Sequence, residues 1–297
     1  MKVQTTHYRE VLEAFRQYRK LVGYSKRCIT GVVEFLARME QKGILDLADI
    51  EPSHIKEHYA YLLQRPNQLY SGALSPYTIT GYLFHIRLLL SWAVRSGQIS
   101  SSPMESLRFP APPPTERVIV SKEKIQDLYA ICVLAQERLT LSLFYGCGLR
   151  ASEGSRLNLK DIDHKARLLY VRQGKGRKRR VIPMTVAIAE DIQNYIYQQR
   201  HEQVTRLTRG NHQKALSLNK IGTRMSAQSY WKLFKELLHR RGDLGLINRG
   251  ISLHSLRHSI ATHLLADGMP LERVRDFLGH DHLETTQLYT HLKTEDL

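Results

Sequence analysis

The chain has 297 residues, longer than a usual compact domain of about 100 to 200, so two domains are expected. Its 44 Lys and Arg stand against 28 Asp and Glu, a formal charge of +16, which favours a polyanionic partner such as nucleic acid. No stretch approaches the roughly 18 consecutive apolar residues of a membrane span, and no apolar run follows the first charges, so a soluble cytoplasmic protein is expected.

Residues 1–114 carry 14 basic and 9 acidic side chains (+5), and the remaining 183 carry 30 and 19 (+11), so both halves share the excess. Cys28, Cys132 and Cys147 are far apart, lie in or beside apolar stretches and lack metal-ligand spacing; they read as reduced packing residues.

Taken in chain order, apolar residues first recur at helical spacing in four blocks. These are Val11, Leu12, Phe15 and Tyr18; Val32, Val33, Leu36 and Met39; Ile55, Tyr59, Leu62 and Leu63; and Ile79, Leu83, Ile86, Leu89 and Leu90. Ser53 after Pro52 and Ser75 before Pro76 are candidate caps, and Gly43 and Gly97 are candidate stops. The prolines of 110–114 favour an extended connector, which sets a helical domain over 1–109, a linker over 110–117 and a second domain over 118–297. Beyond it, 121–158 reads as helices interrupted at Tyr145-Gly146-Cys147-Gly148. Residues 167–183 read as a β-hairpin turning at Gly174-Lys175-Gly176, 205–215 as a loop, and 223–240 and 254–267 as helices. The fold class is therefore mainly α, with one small antiparallel β-hairpin.

Four segments concentrate unusual polar residues: Gly148-Leu149-Arg150-Ala151-Ser152-Glu153, Gly174-Lys175-Gly176-Arg177-Lys178, His254-Ser255-Leu256-Arg257-His258, and Leu278-Gly279-His280 followed nine positions later by Tyr289. Each alone has an ordinary reading: a surface ion pair, a turn lysine, helix histidines, one aromatic among 15 tyrosines. Together they meet the demands of attack on a phosphodiester by a side-chain hydroxyl. Arg150 and Arg257 supply guanidinium forks for the two non-bridging oxygens. Lys175 is the candidate acid for the leaving 5′ oxygen. His254 and His280 are candidates to bond the phosphate or take the phenol proton, and Tyr289 is the candidate nucleophile. Covalent capture conserves the energy of the broken bond, so no nucleotide and no other cofactor is implied.

These segments resemble the tyrosine recombinase and integrase family, the lambda-integrase-like enzymes. LRHSIATHLLADG and LERVRDFLGHDHLETTQLYTHL are most similar to the Xer-type bacterial recombinases. The resemblance runs over nearly the whole chain: IDHKARLLYVRQGKGRKRRVIP stands in the place of the family's basic hairpin, and LSPYTITGYLFHIRLLLSWAVRSGQI is similar to its core-binding domain. It implies the same catalytic set, Arg150, Lys175, His254, Arg257, His280 and Tyr289, with Glu153 as the acidic helper of the first arginine. It also implies a clamp around double-stranded DNA at a specific recombination site, a 3′-phosphotyrosyl intermediate, exchange through a Holliday junction, and a homo- or hetero-tetramer on DNA, nucleoid-associated when bound. Two departures stand out. Gly154 replaces the apolar residue usual after Glu153, which predicts a locally loose helix, by up to about 1 kcal/mol against alanine. Eight residues follow Tyr289, fewer than many relatives use for a last helix, so docking of the tail into a neighbouring subunit is expected to be reduced.

Rival chemistries fit less well. His254 and His258 have metal-ligand spacing, yet Arg257 lies between them and position 255 is serine, so no metal site is expected. Gly174-Lys175-Gly176 lacks the Ser or Thr and the upstream glycine of a P-loop. Asp161 and Asp163 form a close carboxylate pair such as a metal-dependent nuclease needs, and read better as the entry to the hairpin. Arg177, Lys178, Arg179 and Arg180 resemble a targeting patch but suit phosphate contact within a hairpin. Two alternatives share the charge: a type IB topoisomerase-like relaxing enzyme, and a non-catalytic DNA-binding protein of the same fold.

Overall fold

Helical periodicity in the first hundred residues becomes α1 (Thr6–Leu21), α2 (Cys28–Gln41), α3 (Pro52–Gln64) and α4 (Pro76–Arg95). The structure is a computed structural model and describes residues 3–24, 28–67, 71–114, 117–172, 179–205 and 214–279. It divides into two units, Met1–Thr115 and Glu116–Leu297.

In the first unit, Val11, Leu12 and Phe15 of α1 pack with Phe35, Leu36 and Met39 of α2, Ile55 and Leu62 of α3, and Ile79, Leu83, Ile86, Leu89 and Leu90 of α4. Each large apolar side chain so buried contributes about 1.5–3 kcal/mol. Leu63 departs from the expected stripe and is exposed at the end of α3. Ser75 caps α4, accepting from the Thr78 N–H at 3.2 Å. Ser53 is not a cap: Pro52 already occupies the first helical position and Glu51 is the N-cap residue. Proline is favoured there because that N–H has no helical partner. The proline stretch is tied to this unit through Tyr77, whose hydroxyl donates to the Pro113 carbonyl at 2.6 Å.

The second unit begins with α5 (Lys122–Ala130) and α6 (Ala135–Leu141). A π-helical turn, Ser142–Gly146, follows at the expected interruption and leads through Cys147, Gly148 and Leu149 to the short α7 (Ala151–Gly154). The antiparallel sheet has the order β1 (Ile162–Asp163), β2 (Leu168–Val171), β3 (Arg180–Pro183), with Leu169 opposite both Ile162 and Ile182. Strands β2 and β3 match the expected hairpin arms, and its turn lies outside the described residues. Asp161 and Asp163 have structural partners: Asp161 accepts from the Asn158 N–H and pairs with Arg172, and Asp163 accepts from the Ala166 N–H.

Then α8 (Val186–Asn194), a π-helical stretch Tyr195–Arg200 and α9 (His201–Thr205) run on as a continuous helical segment that the sequence reading did not place. Next come α10 (Ala227–Arg241), α11 (Leu244–Asn248), α12 (Leu253–Ala266) and α13 (Leu271–Leu278). Leu143, Phe144, Leu149, Leu169, Ile182, Ile192, Phe234 and Leu256 belong to one buried core, which brings the sheet, α7 and α12 together. Cys147 is in this core, where burial pushes its thiol up to about 12. No helix among the described residues is long and apolar enough to cross a membrane.

Candidate active site

Glu153 is the centre of the site. Arg150, the N-cap residue of α7, has an extended backbone, and its N–H donates to Glu153 Oε2 at 2.9 Å while its Nη1 donates to Oε1 at 2.8 Å. Arg180, the first residue of β3, meets the same carboxylate end-on, Nη1 to Oε1 at 3.0 Å and Nη2 to Oε2 at 2.9 Å. Arg257 Nη1 stands 3.9 Å from Oε2. The Glu153 side chain is only 1% exposed. Burial alone would push its carboxyl up, but the Arg180 fork, followed by the Arg150 N–H and guanidinium, outweighs it and holds the carboxyl at about 2. Three guanidiniums against one carboxylate leave two positive charges in excess here.

The same arginines grip the last carbonyls of α13. Arg180 Nε donates to Phe277 O at 3.0 Å, Arg257 Nη2 to Leu278 O at 2.6 Å, and Arg150 Nη2 to Gly279 O at 2.9 Å. Helix C-termini carry unsatisfied carbonyls and partial negative charge, so cations are favoured at that end. Arg257 also donates to the Gly148 carbonyl and is 1% exposed. Two glycines make this approach feasible. A Cβ on Gly148, at φ +56°, would lie 2.9 Å from Leu278 Cδ2, and one on Gly279, at φ +66°, would lie 3.0 Å from Arg180 Cδ. Side chains are disfavoured at both on dihedral grounds as well.

Arg257 lies on α12, whose start is capped by Ser252. His254 stands one turn earlier, its ring centroid 4.3 Å from that of His258. Burial, then the positive charges of Arg257, Arg117 and Arg150, pushes the His254 imidazole below the ordinary histidine value and favours its neutral form. Behind the site, the buried Ser259 hydroxyl accepts from the Val120 N–H at 2.8 Å and ties α12 to the segment before α5.

Of the sequence-predicted residues, Arg150, Glu153, His254 and Arg257 are brought together with the end of α13. Lys175, Arg177, Lys178, His280 and Tyr289 lie outside the described residues. Arg179 is exposed. Arg180, expected to contact phosphate, turns inward to Glu153, with its side chain 10% exposed. Side chains alternate along a strand, so Arg180 shares a face with the buried Ile182 while Val181 points to solvent. That alternation was present in the sequence and is the signal that places Arg180 inside. Gly154 corrects the expectation of a loose α7: it is buried, and a Cβ there would lie 2.7 Å from Phe144 Cζ. Glycine lets α7 pack closely. Among the described residues no cluster of His, Cys, Asp or Glu could hold a metal ion.

Residues 119–296 match the phage integrase family. The chain is 36% identical over 220 residues to tyrosine recombinase XerC of Chlamydia trachomatis, covering 72% of this chain and 67% of that one. It is 31% identical over 264 residues to tyrosine recombinase XerD of Mycobacterium tuberculosis, covering 85% and 81%. In fold it is similar to the Tn1549 transposon integrase in complex with transposon right end DNA, with a TM-score of 0.71, 19% identity and 94% of each chain covered. It is also similar to XerH site-specific recombinase bound to difH substrate, with a TM-score of 0.62, 20% identity and 89% and 74% covered.

Proposed function

This chain belongs to the phage integrase family and is a tyrosine recombinase related to the Xer enzymes; from that premise we propose that it cuts and rejoins double-stranded DNA at a specific recombination site, with Tyr289 as nucleophile. The Tyr289 phenol oxygen attacks the scissile phosphorus, the bond from phosphorus to the 5′ oxygen breaks, and a 3′-phosphotyrosyl link holds the strand. Attack by the 5′ hydroxyl of another strand reverses the step. Bond energy is conserved, so religation needs no nucleotide.

Arg150 and Arg257 bind the two non-bridging oxygens, where negative charge grows as the transition state forms. The observation that carries this reading is their convergence at one site with two positive charges in excess, a charge suited to a phosphodiester. Neutral His254, together with His280, bonds the phosphate or takes the phenol proton, and Lys175 protonates the departing 5′ oxygen. Strand exchange in pairs through a Holliday junction, by four protomers on two duplexes in the cytoplasm, completes the reading.

Tyr289→Phe tests it. Binding rests on many basic contacts and the hydroxyl supplies only the attack, so the variant should shift DNA in a gel like the native chain while forming no covalent adduct. Equal loss of binding and adduct would count against Tyr289 as nucleophile.

A further inference from the structure

Arg180 has no part in the steps above, yet it makes three hydrogen bonds in the site. Its fork covers both oxygens of Glu153 and its Nε holds the Phe277 carbonyl. All three guanidinium nitrogens are thus committed within the protein, and the side chain is 10% exposed. It joins three stretches of chain: β3, which follows the segment carrying Lys175; α7, which carries Arg150 and Glu153; and the end of α13, directly before His280.

We propose that Arg180 is a positioning residue of the active site, which occupies Glu153 and fixes the end of α13 so that Arg150 and Arg257, each Nη of which already donates once within the protein, keep their second Nη N–H groups for the scissile phosphate. The proposal rests on the roles given above to Arg150, Arg257 and Tyr289. An ionised carboxylate this buried must be paired. Without Arg180 it draws on the two nearest cations, Arg150 at 2.8 Å and Arg257 at 3.9 Å, and each donor so used is lost to the phosphate. A lysine in place of Arg180 keeps the charge, but a point charge cannot span two carboxylate oxygens and a carbonyl.

The test uses duplexes that the native full-length chain captures covalently from a randomised pool, with single-turnover cleavage measured at saturating protein and affinity measured in the Tyr289→Phe background. Arg180→Gln is expected to slow cleavage by about a hundredfold, and Arg180→Lys by less, with dissociation constant and salt dependence unchanged. Because Arg180 acts through Glu153, adding Arg180→Gln to Glu153→Gln should change cleavage by no more than about threefold. Full multiplication of the two losses would overturn the proposal, as would native cleavage rates in Arg180→Gln. Weaker binding with a salt slope reduced by about one and unchanged cleavage at saturation would make Arg180 a phosphate contact instead. If Arg180→Gln does not fold, Arg180→Lys carries the same comparison: slowed cleavage at unchanged affinity supports the role and native cleavage overturns it. Captured DNA linked to a residue other than Tyr289 would overturn the underlying reading, an outcome distinct from any result with the Arg180 variants.

Discussion

At Gly154 two effects oppose each other. Alanine is favoured over glycine inside a helix by up to about 1 kcal/mol, whereas forcing an extra methyl into a packed core costs about 1–3 kcal/mol. A Cβ 2.7 Å from Phe144 Cζ leaves no room, and Phe144 is itself fully buried with its ring edge-on to Tyr230. The second effect wins. Gly154→Ala should lower stability by about 1–2 kcal/mol in denaturant unfolding, and a gain would mean that Phe144 yields. Glu153 supplies a pH test. Its folded carboxyl is held at about 2, below an unfolded glutamate, so its contribution to stability is present above the unfolded value and lost as pH falls toward 2. The stability gap between the native chain and Glu153→Gln should therefore narrow as pH drops from about 5 to about 3; a gap constant with pH would show that the carboxylate is not held this way. The short polar motifs pointed to Arg150, His254 and Arg257, and the family resemblance pointed to Glu153. They did not show that Glu153 is shared, since that depends on β3 and α7 meeting in space.

Among elements, α13 is where the motifs converge. Its C-terminal carbonyls accept from Arg180, Arg257 and Arg150 in succession, and Gly279 closes the helix in the left-handed region. Gly279→Ala meets both obstacles, a dihedral cost of about 1–2 kcal/mol and a Cβ 3.0 Å from Arg180 Cδ and Nη1. It should lower the unfolding midpoint and slow cleavage together; normal cleavage would show that the end of α13 is free to move without consequence. The hairpin arms were legible because β-rich runs flank a glycine turn, and α1 to α4 because each carries an apolar stripe. The helical run 186–205 was not: its buried set includes Asp191 and Arg200, which pair with Arg138 and with the Ala215 and Leu216 carbonyls. Buried polar residues break an apolar stripe, and their partners lie far off in sequence.

On the scale of the whole molecule, the excess charge is divided between the two halves, +5 over residues 1–114 and +11 beyond. Both units are then expected to contribute to binding the phosphate backbone. Affinity for duplex DNA should fall by about a thousandfold or more between 50 and 200 mM salt, as read by titration; a shallow dependence would mean that few phosphates are contacted. The chemistry turns on one bond, between Tyr289 and a 3′ phosphate. The native chain and Tyr289→Phe are incubated with fragmented DNA and denatured, the protein-bound DNA is digested, and both the linked side chain and the DNA end are identified. A 3′ phosphate joined to Tyr289, absent from the variant, is the predicted result; a link to another residue, or through a 5′ phosphate, would contradict the account.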